Sequence, residues 1–160
     1  MSYVTAPDQA SEGCPFCALP GSDSEHDREN LILHRGASAF VILNLYPYNP
    51  GHLMAVPYRH VADFADLTSE ELHEVADLSQ RGVRALRAAS GAQAFNIGLN
   101  LGAIAGAGIS EHLHQHVVPR WGGDTNFMPV IGQTKVLPEL LTETYDRLAP
   151  AFAAAAAGQA

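Results

Sequence analysis

Apolar positions gather into short runs from residue 31 onward. The segments 31–35 (LILHR), 39–45 (AFVILNL) and 52–56 (HLMAV) are rich in β-branched and large apolar side chains, and each predicts a strand. Pro47, Tyr48, Asn49, Pro50 and Gly51 supply the turn between the second and third. The period then changes. Leu72, Val75, Ala76, Val83 and Leu86 recur at helical spacing, so 68–89 is predicted helical. Thr68 with Glu71 forms a capping box at its start, and Gly91 suits its stop. Two further strands are predicted at 94–101 and 112–118, with a glycine-rich loop at 102–108 between them. A weaker helical pattern covers 137–157 and frays in an alanine-rich end. The segment 20–30 is turn-rich and charged, hence a loop. Strands joined by short turns favour antiparallel pairing. The expectation is an α+β fold with an antiparallel sheet of about five strands, one major helix and a C-terminal helix. Residues 1–13 form a flexible polar arm, 14–150 a single domain and 151–160 a tail.

Composition narrows the function classes. With 160 residues, 47% apolar and 16% charged, the chain suits one globular domain. The net charge is −8 and no stripe of Lys or Arg is present, which speaks against nucleic acid and anionic membrane partners. A polyphosphate ligand would then need local positive potential from backbone N–H groups, a metal or charged histidines. No apolar run approaches the roughly 18–20 residues of a membrane span. The first dozen residues lack the order of a signal peptide, so a cytoplasmic location is expected. In a reducing compartment the pair in Cys14-Pro15-Phe16-Cys17 is a metal half-site or a redox motif more often than a disulfide.

The chemistry concentrates in His112-Leu113-His114-Gln115-His116. Alternation along a strand puts the three imidazoles on one face, roughly 7 Å apart, and Leu113 and Gln115 on the other. Glu111 points away by the same rule. Three imidazoles make a poor apolar core, because each needs a hydrogen-bond partner when buried. The spacing fits a site, with a purely structural zinc as the plainer alternative. A neutral imidazole nitrogen is a good nucleophile near neutral pH, and an N–P bond is labile, which suits nucleotidyl transfer.

The run 112–120 (HLHQHVVPR) resembles the signature of the histidine triad (HIT) superfamily, with Gln115 polar where an apolar residue is usual. The resemblance extends over 44–60 (NLYPYNPGHLMAVPYRH), over the glycine-rich 96–108, and over most of 13–135. Within the superfamily, NLYPYNPGH, NLG and EHLHQHVVPRWGGDTNF resemble the actinobacterial diadenosine tetraphosphate phosphorylases. It implies a HIT-like fold and two-fold homodimers. It implies that His114 attacks the α-phosphorus, and that His116 hydrogen-bonds the α-phosphate and assists the leaving group. His52 would lie against the same phosphate. Asn44 would hold the ribose hydroxyls, and Phe16, Ile42 and Met54 would surround the base, with ordinary core packing as the plainer reading of those three. Asn100 would sit on the phosphate side. Where many members carry Gln-Ser or Gln-Thr, this chain has Gly108-Ile109-Ser110. Gly108 and Ser110 are then the candidates for phosphate contacts, and the acceptor, water or inorganic phosphate, is left open. Arg120 is a candidate for phosphate charge or for a salt bridge, and Trp121 for a cover of the site, for the lining of a second nucleotide position or for packing.

For the metal, the resemblance implies a structural zinc held by Cys14, Cys17, His60 and His112, with His52 and His34 as competitors for the third position. No organic cofactor is expected. The implied activity is cleavage of a dinucleoside polyphosphate through a nucleotidyl-His114 intermediate. A HIT-type nucleotide hydrolase or adenosine phosphoramidase is the alternative enzyme. A nucleotide- or zinc-binding interaction protein with vestigial catalysis is the alternative outside enzymes.

Overall fold

All five apolar runs pair into one antiparallel sheet. A computed structural model describes residues 13–124 and 139–157. The strands are β1 (Ile32–Arg35), β2 (Ala39–Leu43), β3 (Leu53–Pro57), β4 (Ala94–Leu99) and β5 (Gln115–Arg120), in the order β1-β2-β3-β5-β4. Among the described residues three α-helices accompany them: a single turn α1 (Pro15–Ala18), the long α2 (Ser69–Ser90) and α3 (Leu141–Ala157).

Strand alternation divides the sheet into two faces. Leu33, Val41, Leu43, Leu53, Ala55 and Val117 face α2 and α3 and pack with Val75, Leu78, Leu86, Leu148 and Phe152. The opposite face carries Ile32, Phe40, Ile42, Met54 and Val56, with Phe16 from α1 laid against them. Register aligns Ile32 with Ile42, Ile42 with Met54, Met54 with His116, and His116 with Gly98. One row across that face therefore runs from three apolar side chains to a triad histidine and ends at a glycine.

Helix α2 starts as its sequence dictates. Thr68 Oγ1 accepts from Glu71 N–H at 3.2 Å, and Glu71 accepts from Thr68 N–H at 2.9 Å. The Arg59 guanidinium also grips Glu71, and together these donors hold its carboxyl down to about 2. Gly91 closes the helix at φ +61°.

The chain enters β3 through Gly51, whose φ is +82°. A Cβ there would lie 2.8 Å from Leu86 Cδ2. Gly51→Ala is expected to cost about 2–4 kcal/mol, from left-handed strain plus overpacking of the fully buried Leu86. A fall in the urea midpoint at unchanged slope is the readout.

Element ends depart from the sequence pattern for local reasons. Strand β2 stops at Leu43, not 45, because the Asn44 side chain captures Tyr46 N–H at 2.9 Å and turns the chain. Strand β4 stops at Leu99, short of 101. Strand β5 begins at Gln115, not His112. The segment before it is held by a separate bond, from Leu113 N–H to the Val61 carbonyl at 2.7 Å. Helix α3 begins at Leu141, and 137–138 lie outside the described residues. A boundary at residue 150 falls inside this helix, where Phe152 is fully buried beneath the sheet. Residues 1–12 of the arm also lie outside the described residues. Among the described residues, no helix is long and apolar enough to cross a membrane.

Candidate active site

The two nitrogens of an imidazole have distinct roles, and the bond made by one fixes the role of the other. His114 and His116 each have one nitrogen committed, and His52 has both. His114 is buried, and its Nδ1–H donates to the His112 carbonyl at 2.8 Å. Its Nε2 therefore carries a lone pair. His52, wholly buried at the start of β3, accepts Tyr48 N–H on Nδ1 at 3.0 Å. Its Nε2–H must then donate to His116 Nδ1, 2.9 Å away. That leaves the proton of His116 on Nε2, an atom buried from solvent and without a partner among the described residues.

The result is a lone pair on His114 next to an unspent donor on His116, with ring centroids 4.9 Å apart. Burial disfavours the charged imidazolium at both. It lowers His114 from its usual value and, together with the neighbouring His114, brings His116 down to about 4. Both rings are thus neutral at physiological pH. Because the fold favours neutral His116, the stability it contributes is complete above the ordinary histidine value near 6.5. That stability is lost as pH falls from about 6.5 to about 4, where the unfolded chain takes up the proton first. Between about pH 7 and about pH 4.5, His116→Gln is expected to lose less thermal stability than the parent.

Around this pair the predicted site residues separate into groups. Phe16 is buried, edge-on to His112 at 5.5 Å and tilted against His114 at 5.2 Å. Ile42 and Met54 continue the row from His116, and Ile32, which the sequence did not single out, completes it. Asn44 is buried; its Oδ1 accepts Tyr46 N–H and its Nδ2 lies 3.4 Å from His52 Nδ1. Its oxygen keeps a second lone pair. Asn100 and Gly108 flank the loop between β4 and β5, in which Gly102 and Gly106 take positive φ. The Ser110 hydroxyl donates to Glu111 Oε1 at 3.1 Å.

Two ambiguous residues make structural contacts. Arg120 is engaged by Asp124 at 2.6 Å and by Asn96 Oδ1 at 2.8 Å. Trp121 Nε1–H donates to the Ser90 carbonyl at the end of α2, 3.2 Å away, so the indole packs against that helix end.

On the far side of Phe16, four donors converge. Cys14 Sγ lies 3.3 Å from His112 Nδ1, and Cys17 Sγ lies 3.4 Å from His60 Nδ1 and 3.5 Å from His112 Nδ1. All four ligand atoms fall within 4.8 Å of one another. His112 Nε2–H donates to the Pro57 carbonyl at 2.9 Å, which turns its Nδ1 lone pair toward the sulfurs. Tetrahedral zinc with usual bond lengths separates sulfur from nitrogen by roughly 3.6 Å, which these three sulfur–nitrogen pairs match. The competitors lie elsewhere: His34 packs on Phe152, and His52 belongs to the triad relay.

The main-chain partners, Tyr48 N–H and the carbonyls of Pro57 and His112, had no signal in the sequence. Every residue carries the same backbone groups, and only long-range folding selects three of them.

An antiparallel five-stranded sheet with a histidine triad at the head of β5 defines a histidine triad protein. The HIT domain model matches residues 26–123, and the chain belongs to that family. It is 49% identical over 144 residues to the AP-4-A phosphorylase of Mycobacterium tuberculosis, covering 90% of this chain and 72% of the relative. It is 31% identical over 93 residues to the asymmetrical bis(5'-nucleosyl)-tetraphosphatase of Schizosaccharomyces pombe, covering 58% of this chain and 50% of that one. A zinc-bound histidine triad family protein from Mycobacterium smegmatis superimposes with a TM-score of 0.73 at 27% identity, covering 92% of this chain and 98% of that chain.

Proposed function

We propose that this protein is a nucleotidyltransferase that cleaves dinucleoside polyphosphates, diadenosine tetraphosphate first among them, with inorganic phosphate as acceptor. The observation that carries the reading is the fixed pair of tautomers, a lone pair on His114 Nε2 beside an unspent donor on His116 Nε2. The similarity to a relative named as an AP-4-A phosphorylase supports the choice of substrate.

In the first half-reaction His114 Nε2 attacks the α-phosphorus. The N–P bond forms as the bond from phosphorus to the bridging oxygen breaks, and the nucleoside polyphosphate leaves with the electron pair. His116 Nε2–H donates to the phosphate oxygens as their charge grows. In the second half-reaction a phosphate oxygen attacks phosphorus, and His114 departs with its lone pair restored. Diadenosine tetraphosphate and phosphate thus become ATP and ADP. The apolar row of Ile32, Ile42 and Met54, with Phe16, receives the base. Asn44 lies toward the ribose, and Asn100, Gly108 and Ser110 toward the phosphates. Cys14, Cys17, His60 and His112 would hold a structural zinc, which supplies no chemistry to the substrate and serves as a rigid clamp.

His52 sets the tautomer of His116, so its loss is felt at the phosphate. His52→Phe is expected to lower kcat about 10–100-fold while KM changes far less, as measured in steady state.

Product analysis by chromatography, with and without inorganic phosphate, tests the reading. Phosphate-dependent release of ADP with ATP supports it. AMP with ATP in the absence of phosphate turns it into a hydrolase, an outcome that Ser110, engaged with Glu111, leaves room for. Turnover of adenosine 5′-phosphoramidate alone, or of nothing, sets it aside.

A further inference from the structure

Gln115 is the polar residue at an apolar position of the signature, and it stands between His114 and His116. Its side chain enters the packed layer between sheet and helix. Gln115 Nε2–H donates to Ser79 Oγ at 2.8 Å, and Ser79 Oγ–H donates to the Val75 carbonyl at 2.8 Å. Ser79 is 3% exposed, in the middle of α2. The direction of both bonds is settled, because a carbonyl only accepts. Close approach makes so short a hydroxyl sufficient. Gly82, one turn beyond Ser79, lies so near the sheet that a Cβ would sit 3.1 Å from Leu53 Cδ1.

Position gives this chain of bonds its significance. Gln115 is the first residue of β5, paired with Ala55 on one side and Leu99 on the other. His114, one residue earlier, is outside the ladder. A nucleophile needs placement to within about 0.5 Å, and a side chain joined to a supporting element gives that better than a loop does. We infer that Gln115, bonded through Ser79 to the main chain of α2, is a positioning residue that anchors the His114–His116 peptide for nucleotidyl transfer. Packing does not call for this pair. Replacing both partners of a buried hydrogen bond by apolar groups of similar shape is close to neutral or stabilising. A leucine at 115 over an alanine at 79 satisfies the layer, but holds the strand by contacts that lack direction. The inference rests on His114 as the nucleophile.

The test uses the full chain as Gln115→Leu, Ser79→Ala and the double variant, with His114→Ala as control. Thermal midpoint, KM for diadenosine tetraphosphate, and the rate of covalent nucleotidyl-protein formation in a quenched single turnover are measured. The expected result is a loss of about 10-fold in the rate of adduct formation, from slight misplacement of the attacking nitrogen. The loss is the same in each single variant as in the double, since either change breaks the same link. KM stays within about twofold, and the double variant melts at or above the parent. Parental adduct rates in the double variant overturn the inference while leaving the nucleophile in place. So do losses that add between the two sites or that track a fallen midpoint. Turnover retained by His114→Ala removes the nucleophile and the inference together.

Discussion

Turnover is expected to disappear in His114→Ala, by on the order of 10⁴-fold or more, as when the nucleophile of a covalent mechanism is removed. The tautomer leaves no substitute. His116 presents N–H rather than a lone pair to the site, and His52 spends both of its nitrogens on Tyr48 and His116. His112 spends Nε2 on Pro57 and aims Nδ1 at the cysteines. The substitution removes one buried ring, and neither sheet pairing nor the Leu113–Val61 bond depends on it. The variant should therefore fold and still bind nucleotide while forming no covalent adduct, as read by mass spectrometry of the quenched reaction. Near-parental activity would sink the mechanism.

Loss of the metal clamp is expected to act on stability first. The four side chains that could hold the ion come from segments far apart in sequence: α1 and the residue before it, the turn after β3, and the lead-in to β5. Phe16 lies in the same turn as both cysteines and packs on His112 and His114. Cys14→Ser, or removal of metal by a strong chelator, is expected to cost roughly 3–5 kcal/mol, less than in a zinc finger because this domain has its own core. For a chain of this size that is a drop of roughly 10 °C in the thermal midpoint. Activity should fall as well, since the carbonyl that holds His114 Nδ1–H belongs to a ligand, His112. Protein purified without chelator should carry one zinc per chain by elemental analysis. Absence of stoichiometric zinc, with an unchanged midpoint in Cys14→Ser, refutes the clamp.

The sequence was legible wherever the physics is local. Runs of β-branched residues located all five strands, and helical spacing with the Thr68–Glu71 box located α2 to within a residue. Alternation placed Gln115 opposite the neighbouring histidines, and it does point into the α2 layer. The Cys-x-x-Cys pair supplies half of a Cys/His cluster that could hold a metal ion. Strand ends were less legible. Asn44 ends β2 by capturing a main-chain N–H, and the head of β5 depends on Val61, more than fifty residues earlier.

By itself, then, the sequence determined the kinds of side chain that gather at the site and the faces they take, since both follow from neighbours a few residues apart. Tertiary structure decided which nitrogen of each histidine carries a proton, because the carbonyls of Pro57 and His112 and the N–H of Tyr48 set it. It also decided that His60 and not His34 joins the cysteines, that Ile32 completes the apolar row, and that Arg120 bonds Asp124 while Trp121 bonds the end of α2. A main-chain donor or acceptor is the same at every position along the chain. Which of them meets an imidazole is fixed only when distant strands come into register.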